Sequence, residues 1–189
     1  MDLLSTVALL VSTALPQEPG QAIPSRHAGR LPGDTIAAVA VAPWAEHRDA
    51  YRSAGLDLAL AGGGTGVDTL WRAVLSRCIG SDAEEFPRLS GLWTGGFVIA
   101  ALPARDGSPI DWVALVDGDE GTTTAAGSAL QRAASTGWLS ATDGFAGAKA
   151  TYTGSLDGHQ VTVALTEDGL VIGSSEDAVG RTLAAAGGD

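Results

Sequence analysis

The sequence predicts an α+β fold, a mostly antiparallel sheet with helices packed on one side. Three observations predict it. Short apolar runs at residues 97–102, 110–116, 160–166 and 170–173 have strand length and turn-rich borders. Two Asp-Gly turns, Leu156-Asp157-Gly158 and Glu167-Asp168-Gly169, have hairpin chemistry. Alanine-rich helical stripes follow Glu120 and the Ser174-Ser175 pair.

Taken in order, residues 3–15 (LLSTVALLVSTAL) form an apolar run of secretory-signal length. The run is too short for a membrane span of roughly 20 residues. Ala14 and Ala22 are small-residue cleavage positions, although Asp2 offsets the positive charge expected ahead of such a run. The organisation expected is a signal peptide at 1–22, a Pro/Gly-rich linker at 23–30 and one α+β domain at 31–189. No cysteine follows the apolar run closely, which excludes a lipoprotein anchor.

Residues 36–42 (IAAVAVA) read as a strand covered on both faces, bounded by Pro32-Gly33-Asp34 and Pro43. A helix follows from Pro43, with Trp44, Arg48, Tyr51 and Ala54 on one face. The Gly62–Gly66 loop then leads into the strongest helical stripe, Val67, Leu70, Trp71, Val74, Leu75, Cys78 and Ile79. A helical turn starts at Ser81 and is limited by Pro87. Residues 97–102 and 110–116 form a hairpin, residues 120–136 a helix, and residues 148–153, 160–166 and 170–173 three more strands. Ser174 or Ser175 caps a last helix bearing Ala178, Val179, Thr182, Leu183 and Ala186.

Composition bounds the chemistry. The chain has 189 residues, 45% of them apolar and 17% charged, enough apolar side chain to offset the entropy of ordering. A net charge of −11 repels phosphate backbones and anionic lipid, so nucleic acid is excluded as a partner of the bulk surface. The single cysteine, Cys78, excludes an internal disulfide and any zinc site built on two thiolates.

Each candidate motif carries a plainer reading beside the chemical one. The Gly62–Gly66 loop lacks the Gly-Lys-Ser/Thr of a phosphate loop, since the only lysine is Lys149, and Val67 stands where a dinucleotide loop needs glycine. Asp117, Asp119 and Glu120 could together hold a hard cation, but Gly121, Thr122 and Ser128 break the calcium-loop pattern. The plainer reading is compensation of a helix dipole. Glu167 with Asp168, and Glu176 with Asp177, read the same way. His27, His47 and His159 have no metal-ligand spacing. Cys78 sits on an apolar stripe, where thiols are inert. Of the five tryptophans, Trp71 and Trp112 read as core, while Trp93 and Trp138 read as exposed and open to a stacking role.

The phrase Leu31-Pro32-Gly33-Asp34-Thr35-Ile36, the strands over 96–102 and 112–117, the Tyr152-bearing strand and the closing Asp168-Gly169-Leu170-Val171-Ile172-Gly173-Ser174-Ser175 form a series. In these the chain resembles a bacterial domain-of-unknown-function family of exported proteins opening with an L-P-A-D-T-like phrase. Gly33 replaces the usual alanine. The resemblance implies an exported α+β domain over about residues 31–186 and carries no catalytic residue.

The function expected is therefore an extracytoplasmic, non-catalytic binding or scaffold module, periplasmic or secreted, with an envelope protein as a partner. No catalytic residue, metal site or cofactor is assigned, and no membrane span is expected in the mature chain. One rival is a small hydrolase or metal-assisted enzyme using Asp117, Asp119 and Glu120. Another is a cytoplasmic regulatory domain whose first fifteen residues belong to the fold.

Overall fold

A computed structural model describes residues 29–41, 96–105, 110–156 and 159–187. The expected signal peptide, nearly all of the linker, the helices expected over 43–54 and 67–79, the turn at 81–87 and the glycine loop lie outside the described residues. So do His27, His47, Cys78, Trp44, Trp71 and Trp93.

Seven strands and two helices are described: β1 (Ala37–Val41), β2 (Phe97–Leu102), β3 (Asp111–Asp117), α1 (Glu120–Ser135), β4 (Leu139–Thr142), β5 (Ala150–Leu156), β6 (His159–Leu165), β7 (Gly169–Gly173) and α2 (Glu176–Gly187). The strands form one sheet in the order β1-β2-β3-β7-β6-β5-β4, and every neighbouring pair is antiparallel. The expected α+β class and antiparallel sheet are thus present. The β3–β7 pair at the centre joins a three-stranded half to a four-stranded half.

Register decides which residues share a face, because side chains alternate along a strand. Val98, Leu115, Val171 and Ala164 stand in one row across four strands, and Ala100 and Val113 stand in the next. These residues pack with Ala178, Val179 and Leu183 of α2. Leu170, Val163 and Tyr152 point to the opposite face, where they pack with Ala126, Ala129 and Leu130 of α1. The two described helices therefore cover opposite faces of the sheet, which corrects the expectation of helices on one side. The cause is visible in β6 and β7: Val163 and Ala164 are adjacent and both buried, as are Leu170 and Val171. Apolar neighbours of this kind need cover above and below. Val163, Leu170 and Val171 each contribute about 1.5–3 kcal/mol on full burial.

The opening phrase begins the folded part. Pro32 accepts hydrogen bonds through its carbonyl from the Thr35 N–H (3.1 Å) and the Thr35 hydroxyl (2.7 Å), closing a turn before β1. Asp34 is thereby presented to Arg181 of α2 at 2.9 Å. Arg181 also donates to the Pro103 carbonyl at 2.9 Å and pairs with Asp177 at 2.8 Å and Asp111 at 3.8 Å. One guanidinium thus joins the turn before β1, the end of β2, the start of β3 and α2. Arg30 pairs with Asp117 at 3.3 Å, so the last residue of the expected linker is already held by the sheet.

Candidate functional site

The acidic cluster is taken apart by the fold. Asp119 is the N-cap of α1: its carboxylate accepts from the Thr122 N–H at 2.7 Å, as helix starts favour. Asp117 ends β3 and faces Arg30, while Glu120 stands exposed in the first turn of α1. Among the described residues no three His, Cys, Asp or Glu side chains are placed to share a metal ion. Hydrogen bonds from the Thr122 hydroxyl and N–H, with a lesser one from the Gly121 N–H, hold the Asp119 carboxyl below its usual pKa. Asp119 is thus kept ionised, the opposite of what a proton donor at neutral pH requires.

A pH dependence follows from this cap. A depressed folded pKa contributes stability that is present above the unfolded value, about 4, and is lost as pH falls through the folded value. Asp119→Ala should lower the melting temperature at neutral pH, and the gap to wild type should narrow on acidification below about pH 4. Thermal melts across pH read this; a gap that stays constant on acidification contradicts it.

Glu167 and Asp168 are exposed in the β6–β7 hairpin, and Asp168 serves through its carbonyl, which accepts from the Gly118 N–H at 2.8 Å. Glu176 and Asp177 lie in the first turn of α2, and Ser175 caps that helix by accepting from the Ala178 N–H at 3.1 Å. Ser174 is used differently: its hydroxyl donates to Asp111 at 2.7 Å and accepts from the Trp112 N–H at 3.0 Å. His159 is exposed at the first position of β6. Trp112 is half-buried in β3.

Of the two described tryptophans, Trp138 is the exposed one, with 51% of its surface open to solvent. Its position is dictated by how α1 ends. Gly137 takes a positive φ of 80°, the Gly137 N–H bonds the Ala134 carbonyl, and the Trp138 N–H bonds the Ala133 carbonyl at 2.9 Å. This is a Schellman termination, and the residue in the Trp138 position commonly folds back onto the helix. Here the indole stays open to solvent, and the chain reverses at once into β4.

β4 pairs with β5, Ser140 opposite Thr153 and Leu139 opposite Gly154. Leu139 packs toward α1, so Ser140, Thr153 and Ser155 share the other face. With Thr136, Gly137, Trp138 and Gly154 they line an open groove of about 480 Å³, within the range of small-molecule sites. Gly154 is required by close approach, since a Cβ there would lie 2.8 Å from the Trp138 carbonyl oxygen. The same face continues inward through Thr142, Thr151 and Thr162. Thr151 and Thr162 are 2% and 0% exposed, and their buried hydroxyls have no hydrogen-bond partner among the described residues. The outer sheet therefore presents rows of hydroxyls where the inner sheet presents Val and Leu.

Among the described residues no ionisable side chain lines the Trp138 groove. The single lysine, Lys149, lies instead in a smaller hollow of about 240 Å³ with Gln131, Ser128 and Thr124 of α1. Sequence reasoning singled out Trp138 but missed Ser140, Thr153 and Ser155. The available signal was the alternation of hydroxyls at 140 and 142 and at 151, 153 and 155. No family model, curated protein or solved structure matches the chain.

Proposed function

We propose that the chain is a non-catalytic binding module that acts outside the cytoplasm, and that its contact surface is the outer sheet face around Trp138. The observation that carries this reading is the groove itself. It combines a half-exposed indole with the hydroxyls of Ser140, Thr153 and Ser155, and among the described residues that line it none is able to move a proton at neutral pH. Such a surface recognises a ligand and leaves its bonds intact.

The extracytoplasmic setting rests on the apolar run at residues 3–15 with its small-residue cleavage positions, and on the resemblance of the opening phrase to an exported family. Among the described residues no helix is long and apolar enough to cross a membrane. The experiment is the mass of the N-terminus of the protein recovered from its host, with periplasmic and cytoplasmic fractions kept apart. A chain beginning near Leu15 or Ile23 in the exported fraction is the expected result. An intact Met1 confined to the cytoplasm overturns the setting and favours a regulatory domain whose first fifteen residues are structural.

A further inference from the structure

We infer that the Trp138 groove takes an uncharged polysaccharide, one sugar ring stacking on the indole while neighbouring sugar hydroxyls meet Ser140, Thr153 and Ser155. The inference rests on the reading of this face as a binding surface and names the ligand class.

The indole is the first argument. A flat, half-exposed aromatic with a polar N–H at its edge offers dispersion contact and one hydrogen-bond donor. A pyranose ring has the matching surface, with C–H groups on its face and hydroxyls around its rim. The surrounding hydroxyls are the second argument. The hydroxyls of Ser140, Thr153 and Ser155 form no hydrogen bond with another described residue, so their donors and acceptors are available. A hydroxyl both donates and accepts, as a sugar hydroxyl does, so each contact can be made in either direction. Were the partner an apolar protein surface, the indole would be expected amid other apolar side chains; the groove surrounds it with serine, threonine and glycine.

Charge selects within the sugars and against the other ligands that stack on tryptophan. Single-stranded nucleic acid needs cations along its backbone. The described lining of the groove has none, and the chain carries a net charge of −11. The same field opposes uronic-acid and sulfated glycans. The groove is open to solvent, which suits a ligand larger than a single sugar. Gly137 and Gly154 line it without side chains of their own.

Affinity electrophoresis of the full chain tests this, in native gels containing hydroxyethyl cellulose, glycogen or galactomannan, with carboxymethyl cellulose as the anionic counterpart. Wild type should be retarded in at least one neutral gel and run freely in the anionic one. Trp138→Ala should bind at least about tenfold more weakly with an unchanged melting temperature. Trp138→Phe, which keeps a smaller ring, should retain part of the retardation, and Ser140→Ala with Thr153→Ala should fall between. Free migration of wild type in every neutral gel overturns the inference. Equal retardation of wild type and Trp138→Ala also overturns it, as does retardation by carboxymethyl cellulose alone. These failures are distinct from failure of the extracytoplasmic setting, which the mass of the N-terminus decides.

Discussion

Gly169→Ala is expected to cost about 3 kcal/mol or more, enough to unfold much of a marginally stable domain. Gly169 has φ of +147°, backbone that a residue with a Cβ rarely adopts. A methyl group there would fall on the carbonyl oxygen of Val116 and lie 3.0 Å from the Gly118 nitrogen. Both atoms belong to the exit of β3, against which Gly169 pairs through Asp117. Relief would require β3 and β7 to separate, and that pair is the seam joining the two halves of the sheet. Gly137→Ala is the control. Its φ of +80° is also left-handed, but nothing lies within 4 Å of the added Cβ, so the cost should be only about 1–2 kcal/mol. Urea unfolding of both variants checks the contrast; equal losses would contradict the close approach at Gly169.

Arg181→Ala is the second large effect, expected at about 3 kcal/mol. The guanidinium side chain is 11% exposed and faces Asp34, Asp111 and Asp177. Asp111 is 4% exposed and, among the described residues, would keep the Ser174 hydroxyl as its hydrogen-bond donor once the arginine is gone. Removing one member of a buried ion group costs more than its net contribution, because the remaining charge stays desolvated. Arg181→Lys should recover part of the loss, since an ammonium restores charge but not the planar fork that reaches both Asp34 and the Pro103 carbonyl. The expected readout is a lower urea midpoint with an unchanged slope. Stability of Arg181→Ala within about 0.5 kcal/mol of wild type would contradict the account of this residue as a structural tie.

Why part of this fold was legible is clear from its turns and caps. Glu167-Asp168-Gly169 marks the β6–β7 hairpin because glycine alone suits the backbone there. Ser175 and Gly137 mark a helix start and a helix end by the hydrogen bonds such positions require. β4 was not legible. Leu139-Ser140-Ala141-Thr142 offers four residues with little apolar signal immediately after a helix, and its pairing with β5 supplies what propensity does not.

The sides of the helices were hidden for a different reason. Each alanine-rich stripe shows that a helix is buried on one face without showing which face of the sheet it meets. That information lay in the consecutive buried residues of β6 and β7. The candidate site was legible only at Trp138. Its hydroxyl partners come from β4 and β5, and only the register brings Ser140 beside Thr153. The acidic residues misled because Asp117, Asp119 and Glu120 are close in sequence yet serve separately, one against Arg30, one as a cap and one in solvent.

The most direct test of the binding surface is a backbone and indole N–H shift map of the isotope-labelled chain, titrated with a soluble tetramer of the neutral glycan that retards it. The account predicts shifts confined to residues 136–142 and 151–155 and to the Trp138 indole. Shifts centred on Lys149 and α1, on Asp117, or nowhere would contradict it.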